Sequence, residues 1–224
     1  MTVPQCGAGF KILTFMLLCS SLLITSACSR GSQSHEAREF STFRDPGLEG
    51  TIRVVTMPLY RSRDIGSSAA TIDHNLTRSL TELNRFEMVS MDASERDNYF
   101  SSDPLRSNRV EHDALRRLRE DFGSDAVLIG RIGHWQSFDP VAIGVTLYLI
   151  DCRDGSVLWS ATGMWDAALR STQDDIREWY QAQRGQGNEV LGGWRTVLNS
   201  PSTFTRYVSD RLAASVPYHQ DDPR

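Results

Sequence analysis

The sequence predicts an α/β fold, a mixed five-stranded sheet with helices packed against it, and three observations point that way. Residues 125–166 read as three consecutive β-rich runs parted by two turns, Ser137-Phe138-Asp139-Pro140 and Cys152-Arg153-Asp154-Gly155. Two shorter apolar runs, at 51–60 and 86–90, come before them, and each of these two is followed by an amphipathic helical pattern. A final helical stripe follows Ser200-Pro201. The order is therefore strand-helix-strand-helix-strand-strand-strand-helix. Right-handed strand-helix-strand crossovers place parallel neighbours, and tight turns force antiparallel ones. The predicted strand order is 2-1-3-4-5.

The first strand is Thr51 to Tyr60, with Ile52, Val54 and Thr56 alternating against Val55, Met57 and Leu59, and Pro58 marking its end or a bulge. A loop with Gly66 leads to Ile72, Leu76, Leu80 and Leu83, a helical stripe across roughly 69–83. Phe86 to Ser90 is the second strand, and Met91 to Asn108 reads as a polar loop. Val110, Ala114, Leu115, Leu118 and Phe122 form the second stripe, closed by Gly123 as a C-terminal cap. In the middle run of the triple strand, Val141, Ile143, Val145, Leu147 and Leu149 point one way, and Ala142, Gly144, Thr146, Tyr148 and Ile150 the other. A strand this apolar on both sides is expected to be covered on both sides. Asp154-Gly155 is a hairpin signal. Residues 167–199 form an insert, with a helix expected from Thr172 to Gln183 whose first turn holds Asp174 and Asp175. Phe204, Val208, Leu212 and Val216 then mark the last helix, begun by Pro201. The domain spans 51–217, and 218–224 is a polar tail.

Bulk composition excludes several classes of function. The chain of 224 residues has a net charge of −4, so no strong basic field invites nucleic acid. Lys11 is the single lysine, which leaves no lysine for a phosphate-cradling loop or a Schiff base once residues 1–27 are removed. Cys6, Cys19, Cys28 and Cys152 lie in no metal-binding spacing. No GxSxG, HExxH, Walker or GxGxxG motif occurs. No cofactor, no metal and no enzymatic activity are expected.

Residues 12–24, ILTFMLLCSSLLI, have the length of a signal peptide's apolar core. They lead to Thr25-Ser26-Ala27-Cys28, which resembles a bacterial lipobox. That resemblance implies cleavage between Ala27 and Cys28 and a Cys28 carrying diacylglycerol and an amide-linked palmitate or similar chain. A retained anchor, or ordinary secretory cleavage after Ala27, are the alternatives. Ser29 stands where enteric lipoproteins kept in the inner membrane carry aspartate, which by the same resemblance implies the outer membrane, periplasmic face. Residues 28–50 are polar and read as a flexible tether.

Arg85-Phe86-Glu87-Met88-Val89, Ala126-Val127-Leu128-Ile129-Gly130 and Leu149-Ile150-Asp151 with Gly155 and Leu158-Trp159 resemble strands of the TolB amino-terminal and CsgG-type domains. That resemblance implies an anticodon-binding-like α/β domain in envelope lipoproteins that act as scaffolds, pores or regulators of secretion, polysaccharide export or peptidoglycan synthesis. It implies envelope protein partners or a homo-oligomer. The chain has no long alternating segments to supply the barrel hairpins of the curli channel. A binding module for a small ligand or glycan, in a cleft where the insert meets the sheet, is the alternative function. For Trp165, Trp179, Tyr180 and Trp194 two readings stand: a partner surface, or aromatic caps on the insert's own core. Arg116, Arg117 and Arg119 read as a mixed, solvated helix face, His134 as a satisfied strand histidine, and Asp73 with His74 as no dyad because adjacent helical residues face apart.

Overall fold

A single mixed sheet carries everything else in the computed structural model, which describes residues 40–45, 52–65, 70–107, 110–187 and 190–216. Its strands are β1 (Phe40–Arg44), β2 (Ile52–Thr56), β3 (Phe86–Ser90), β4 (Ala126–Gln136), β5 (Ala142–Asp151) and β6 (Val157–Asp166). Their order is β1-β6-β5-β4-β2-β3. β2 pairs in parallel with β3 and with β4, and the remaining pairs are antiparallel. The helices are α1 (Ala70–Glu82), α2 (Ala93–Tyr99), α3 (Pro104–Ser107), α4 (His112–Phe122), α5 (Arg170–Gly185), α6 (Trp194–Asn199) and α7 (Pro201–Ala214).

The expected count of five strands is corrected to six, and the order differs from 2-1-3-4-5 by a strand added beyond β6. That strand, β1, lies within the stretch 28–50 expected to be a flexible tether. Phe40 to Arg44 are in register with Gly163 to Trp159, and the Phe40 ring sits 5.4 Å from that of Trp165. Gly163 permits this packing. A Cβ there would stand 2.4 Å from a Trp165 ring carbon and 2.8 Å from one of Phe40. The expected signal peptide, Ala27, Cys28 and the tail 218–224 lie outside the described residues.

Two cores flank the sheet. On one face, Val54, Leu128, Ile143, Val145, Leu147, Leu149 and Trp159 pack with Ile72, Leu76 and Leu80 of α1, Ile176 and Trp179 of α5, and Phe204, Val208 and Leu212 of α7. On the other, Val55, Val127, Ile129 and Ile150 pack with Ala114, Leu115 and Leu118 of α4. Of the stripes expected, Ile72, Leu76 and Leu80 of α1, Ala114, Leu115 and Leu118 of α4, and Phe204, Val208 and Leu212 of α7 are buried, while Leu83, Val110 and Phe122 are half-buried. Gly123 ends α4 at φ 62°, in the left-handed region a C-cap glycine serves.

The polar stretch 91–108 is not the loop expected of it: α2 and α3 lie within it. Asp92 accepts from the Glu95 N–H while the Glu95 carboxylate accepts from the Asp92 N–H, a capping box strong enough to start a helix with no buried residue of its own. α5 begins two residues earlier than expected, so Asp174 and Asp175 stand in its second turn. The second core covers only part of its face. It reaches β3, β2, β4 and one end of β5, and the expectation that the middle strand is covered on both sides along its length fails at Gly144 and Thr146, which are half-buried.

Candidate interaction surface

The uncovered half of that second face is built by strand register. One row runs Arg131, Thr146, Thr162, Ser41 from β4 to β1, and the next runs Ile129, Tyr148, Ser160, Phe43. In the third row, His134, Gly144 and Met164 meet, after a register shift in β4 between Ile132 and His134. Side chains two residues apart in a strand share a face, so these rows stand side by side. Thr162 donates to the Thr146 hydroxyl at 3.4 Å across the strands. Ser41, Thr162 and His134 are exposed, Phe43 is 51% exposed, and Met164 and Tyr148 are half-buried. Hydroxyls that both donate and accept, on side chains with little rotamer entropy to lose, line a flat floor. His134 is a strand histidine, as expected, and stands exposed beside the register shift of β4.

α2 and α3 bound this floor and are pinned by charge. Arg131 donates through Nε to Asp103 at 2.6 Å, closing a two-pronged pair. Arg96 donates to the Pro58 carbonyl at 3.2 Å and lies over the Tyr60 ring, 4.3 Å from its centre. Asp73 accepts from the Leu59 N–H and from Arg61, both at 2.9 Å. Burial raises the Asp73 pKa above the usual carboxylate range, against the pull of these donors. Burial also pushes the Tyr60 phenol up to about 12, so it stays protonated at neutral pH. These groups stand past the C-terminal end of β2 and beside the middle of β4, where the chain leaves β2 toward β3 on one side and β4 toward β5 on the other. That is a frequent binding crevice in parallel sheets. Here the Arg61, Arg96 and Arg131 guanidinia all have protein partners, so the cluster works as a clamp.

The aromatic set for which two readings stood, a partner surface or core caps, divides. Trp165 and Trp179 are buried, at 6% and 4% exposure, which decides for the core reading and against a partner surface at these two positions. The Trp179 Nε1–H donates to Asp210 at 3.0 Å, and its ring meets Tyr207 edge-on at 5.7 Å. They close the main core shared with α7, and so fill the junction of insert and sheet where a ligand cleft was expected. Tyr180 and Trp194 remain half-buried. Trp194 lies between Arg177 and Arg195, at 4.2 and 5.3 Å from its ring centre, beside a Leu191 that is 89% exposed.

Arg116 and Arg117 of α4 are engaged. Arg116 pairs with Glu120 at 3.1 Å, and Arg117 donates to the carbonyls of Asn98 and Tyr99 at 3.3 Å. Cys152 is buried with its Sγ 3.6 Å from the Ser124 hydroxyl, and burial raises its thiol pKa, which disfavours the nucleophilic thiolate. Among the described residues, no cluster of three or more His, Cys, Asp or Glu is placed to hold a metal ion, and no helix is long and apolar enough to cross a membrane.

Sequence reasoning missed β1 and the open floor. The cue to β1 was the pair Phe40 and Phe43 at strand spacing in a polar segment.

No protein-family model matches the chain. No curated protein matches it in sequence. Several solved structures share the course of its backbone. The PelC dodecamer from Paraburkholderia phytofirmans is similar at 16% identity and TM-score 0.49, over 77% of this chain and 92% of that one. The lipoprotein GNA1162 from Neisseria meningitidis is similar at 18% identity and TM-score 0.40, over 62% and 99%. The LpoB C-terminal domain from Salmonella enterica is similar at 13% identity and TM-score 0.36, over 53% and 85%. At these values the likeness is one of backbone course, and the assembly states of those proteins remain theirs.

Proposed function

We propose that this chain is a lipoprotein held by Cys28 at the periplasmic face of the outer membrane, and that it works without catalysis, as a scaffold or regulatory component of an envelope complex. The observation that carries the reading is Thr25-Ser26-Ala27-Cys28 directly after the apolar run 12–24, small residues and a thiol placed where a lipoprotein signal peptidase cuts. Two acyl chains or more give stable anchoring, whereas one is marginal. The open floor of β5, β6 and β1 supports the second half of the reading. It offers a flat hydroxyl-lined face beside an edge strand, and such an edge presents backbone groups to an incoming strand or sheet.

Crosslinking in cells followed by capture of the lipidated chain from membranes tests this. Thr162→Arg adds bulk in the middle of the floor at an exposed position, so the fold is expected to persist and the captured partner, or the homo-oligomer, to be lost. A chain that is monomeric and partnerless in the membrane contradicts the reading.

A second reading, a module for a small ligand or glycan, has one observation in its favour. A hollow of about 550 Å³ lies between α3 and α4, lined in part by Ser102, Ser107, Glu111, His112 and Asp113, polar groups suited to hydroxyl-rich molecules. A rise in Tm with added glycan fragments, abolished by His112→Leu, would favour it.

A further inference from the structure

Phe138 is 82% exposed at the tip of the turn between β4 and β5. A phenylalanine held that far out of the core gains nothing from the fold, and its neighbours show which way it points. β4 ends at Gln136 and β5 begins at Ala142, which is in register with Asp166 at the end of β6. β1 runs antiparallel to β6, with Phe40 opposite Gly163. The residue at which the described chain begins and the tip carrying Phe138 therefore lie at the same end of the sheet. Across the sheet they are separated by two to three strand spacings, roughly 10–15 Å, and along it Phe40 stands level with Val145, about 10 Å short of Ala142. Two further segments reach this end. Tyr60 is bridged to Arg131 and leads to an exposed Arg63, and β6 leads through Ala167 to an exposed Arg170 at the start of α5.

We infer that this end of the sheet rests on the bilayer, with the Phe138 ring in the headgroup region and Arg63 and Arg170 facing lipid phosphates. The inference rests on the proposed acylation of Cys28. Phe40 follows Cys28 by twelve residues, and twelve residues fully extended span at most about 40 Å. Because β1 docks on the sheet, the covalent link between lipid and domain is shorter than a tether running to Gly50 would be. It also joins the domain at the end that carries Phe138. An aromatic ring presented on a tight turn loses little entropy on insertion, and guanidinia beside it complement phosphate. Asp139 is exposed next to the ring, and a carboxylate there holds the tip at headgroup depth rather than in hydrocarbon.

Depth-dependent quenching in the full lipidated chain tests this. Phe138→Cys and, separately, Arg153→Cys are labelled with bimane and reconstituted in phosphatidylethanolamine–phosphatidylglycerol vesicles that carry nitroxide lipids. Arg153 lies in the turn at the other end of β5, about 34 Å away along its ten residues. Cys152 is buried, and the chain without an added cysteine provides the background. The expected result is quenching several-fold stronger at 138 than at 153. Quenching that is equal, or stronger at 153, in a chain that co-sediments with the vesicles overturns the orientation and leaves the anchor standing. A chain that does not co-sediment overturns both.

Discussion

The Phe40 ring packs against the Trp165 indole at a centre-to-centre distance of 5.4 Å, tilted by 47°, where β1 pairs with the edge of the sheet. Phe40→Ala is expected to cost about 1–2 kcal/mol, the value of a half-buried aromatic side chain and its ring contact. Amide exchange in β1 should quicken while that in β5 stays slow. Unchanged exchange in β1 would mean the strand is held by its backbone bonds alone.

Val208 and Leu212 of α7 are fully buried against the sheet. Val208→Asp or Leu212→Asp leaves an unpaired charge in the core, at a cost of several kcal/mol against a total stability of about 5–15 kcal/mol. Each variant is expected to be unfolded by circular dichroism. A folded double variant would place this helix elsewhere.

Asp175 gathers two partners from α7. It accepts from the Tyr207 hydroxyl at 2.5 Å and from the Arg211 Nε at 2.9 Å. Asp175→Ala strands both donors and is expected to lower stability by about 2–3 kcal/mol, with Tyr207→Phe costing about 1 kcal/mol. The double variant should cost less than the sum, because both changes break the same bond. Strict additivity would show the two side chains to be independent.

Tyr60 has its phenol pushed up to about 12 by burial, from an unfolded value of 10.0. Its folded pKa is raised, so its contribution to stability is complete below pH 10 and is lost as pH rises toward 12. The Tyr60 hydroxyl meets no hydrogen-bonding partner among the described residues. Tyr60→Phe is therefore expected to be neutral within about 1 kcal/mol at pH 7. It should also lose less stability than the parent between pH 10 and 12. With Lys11 the single lysine of the chain, that range reports almost entirely on tyrosines. Parallel pH profiles for parent and variant would refute the assignment.

Much of this fold was legible because its signals are local. Val141 to Ile150 alternate, Asp154-Gly155 turns, and Ile72, Leu76 and Leu80 recur at helical spacing, so each element could be read within its own window. β1 was not, because its contacts are with β6, Trp165 among them, more than a hundred residues away, and with the space that Gly163 leaves. α2 was hidden for a different reason. Its capping box was present as Asp92 and Glu95, but the helix buries no apolar stripe, and periodicity is the signal by which helices are read. Trp165 and Trp179 looked equally suited to core and surface, since an indole serves both. Only the path of α5 and α7 across the sheet decides that they are interior. The open floor was illegible in principle: which half of a face is covered depends on where α4 lies, and no residue of β6 records that.

The most direct measurement is the intact mass of the mature protein purified from its own membranes, paired with fractionation of the wild type and Cys28→Ser. The expected result is a chain that begins at Cys28, carries the mass of its acyl groups and stays with the outer membrane, while Cys28→Ser is neither cleaved nor acylated at that position. A wild-type chain of unmodified mass, recovered in the soluble fraction, would contradict the anchored role proposed for it.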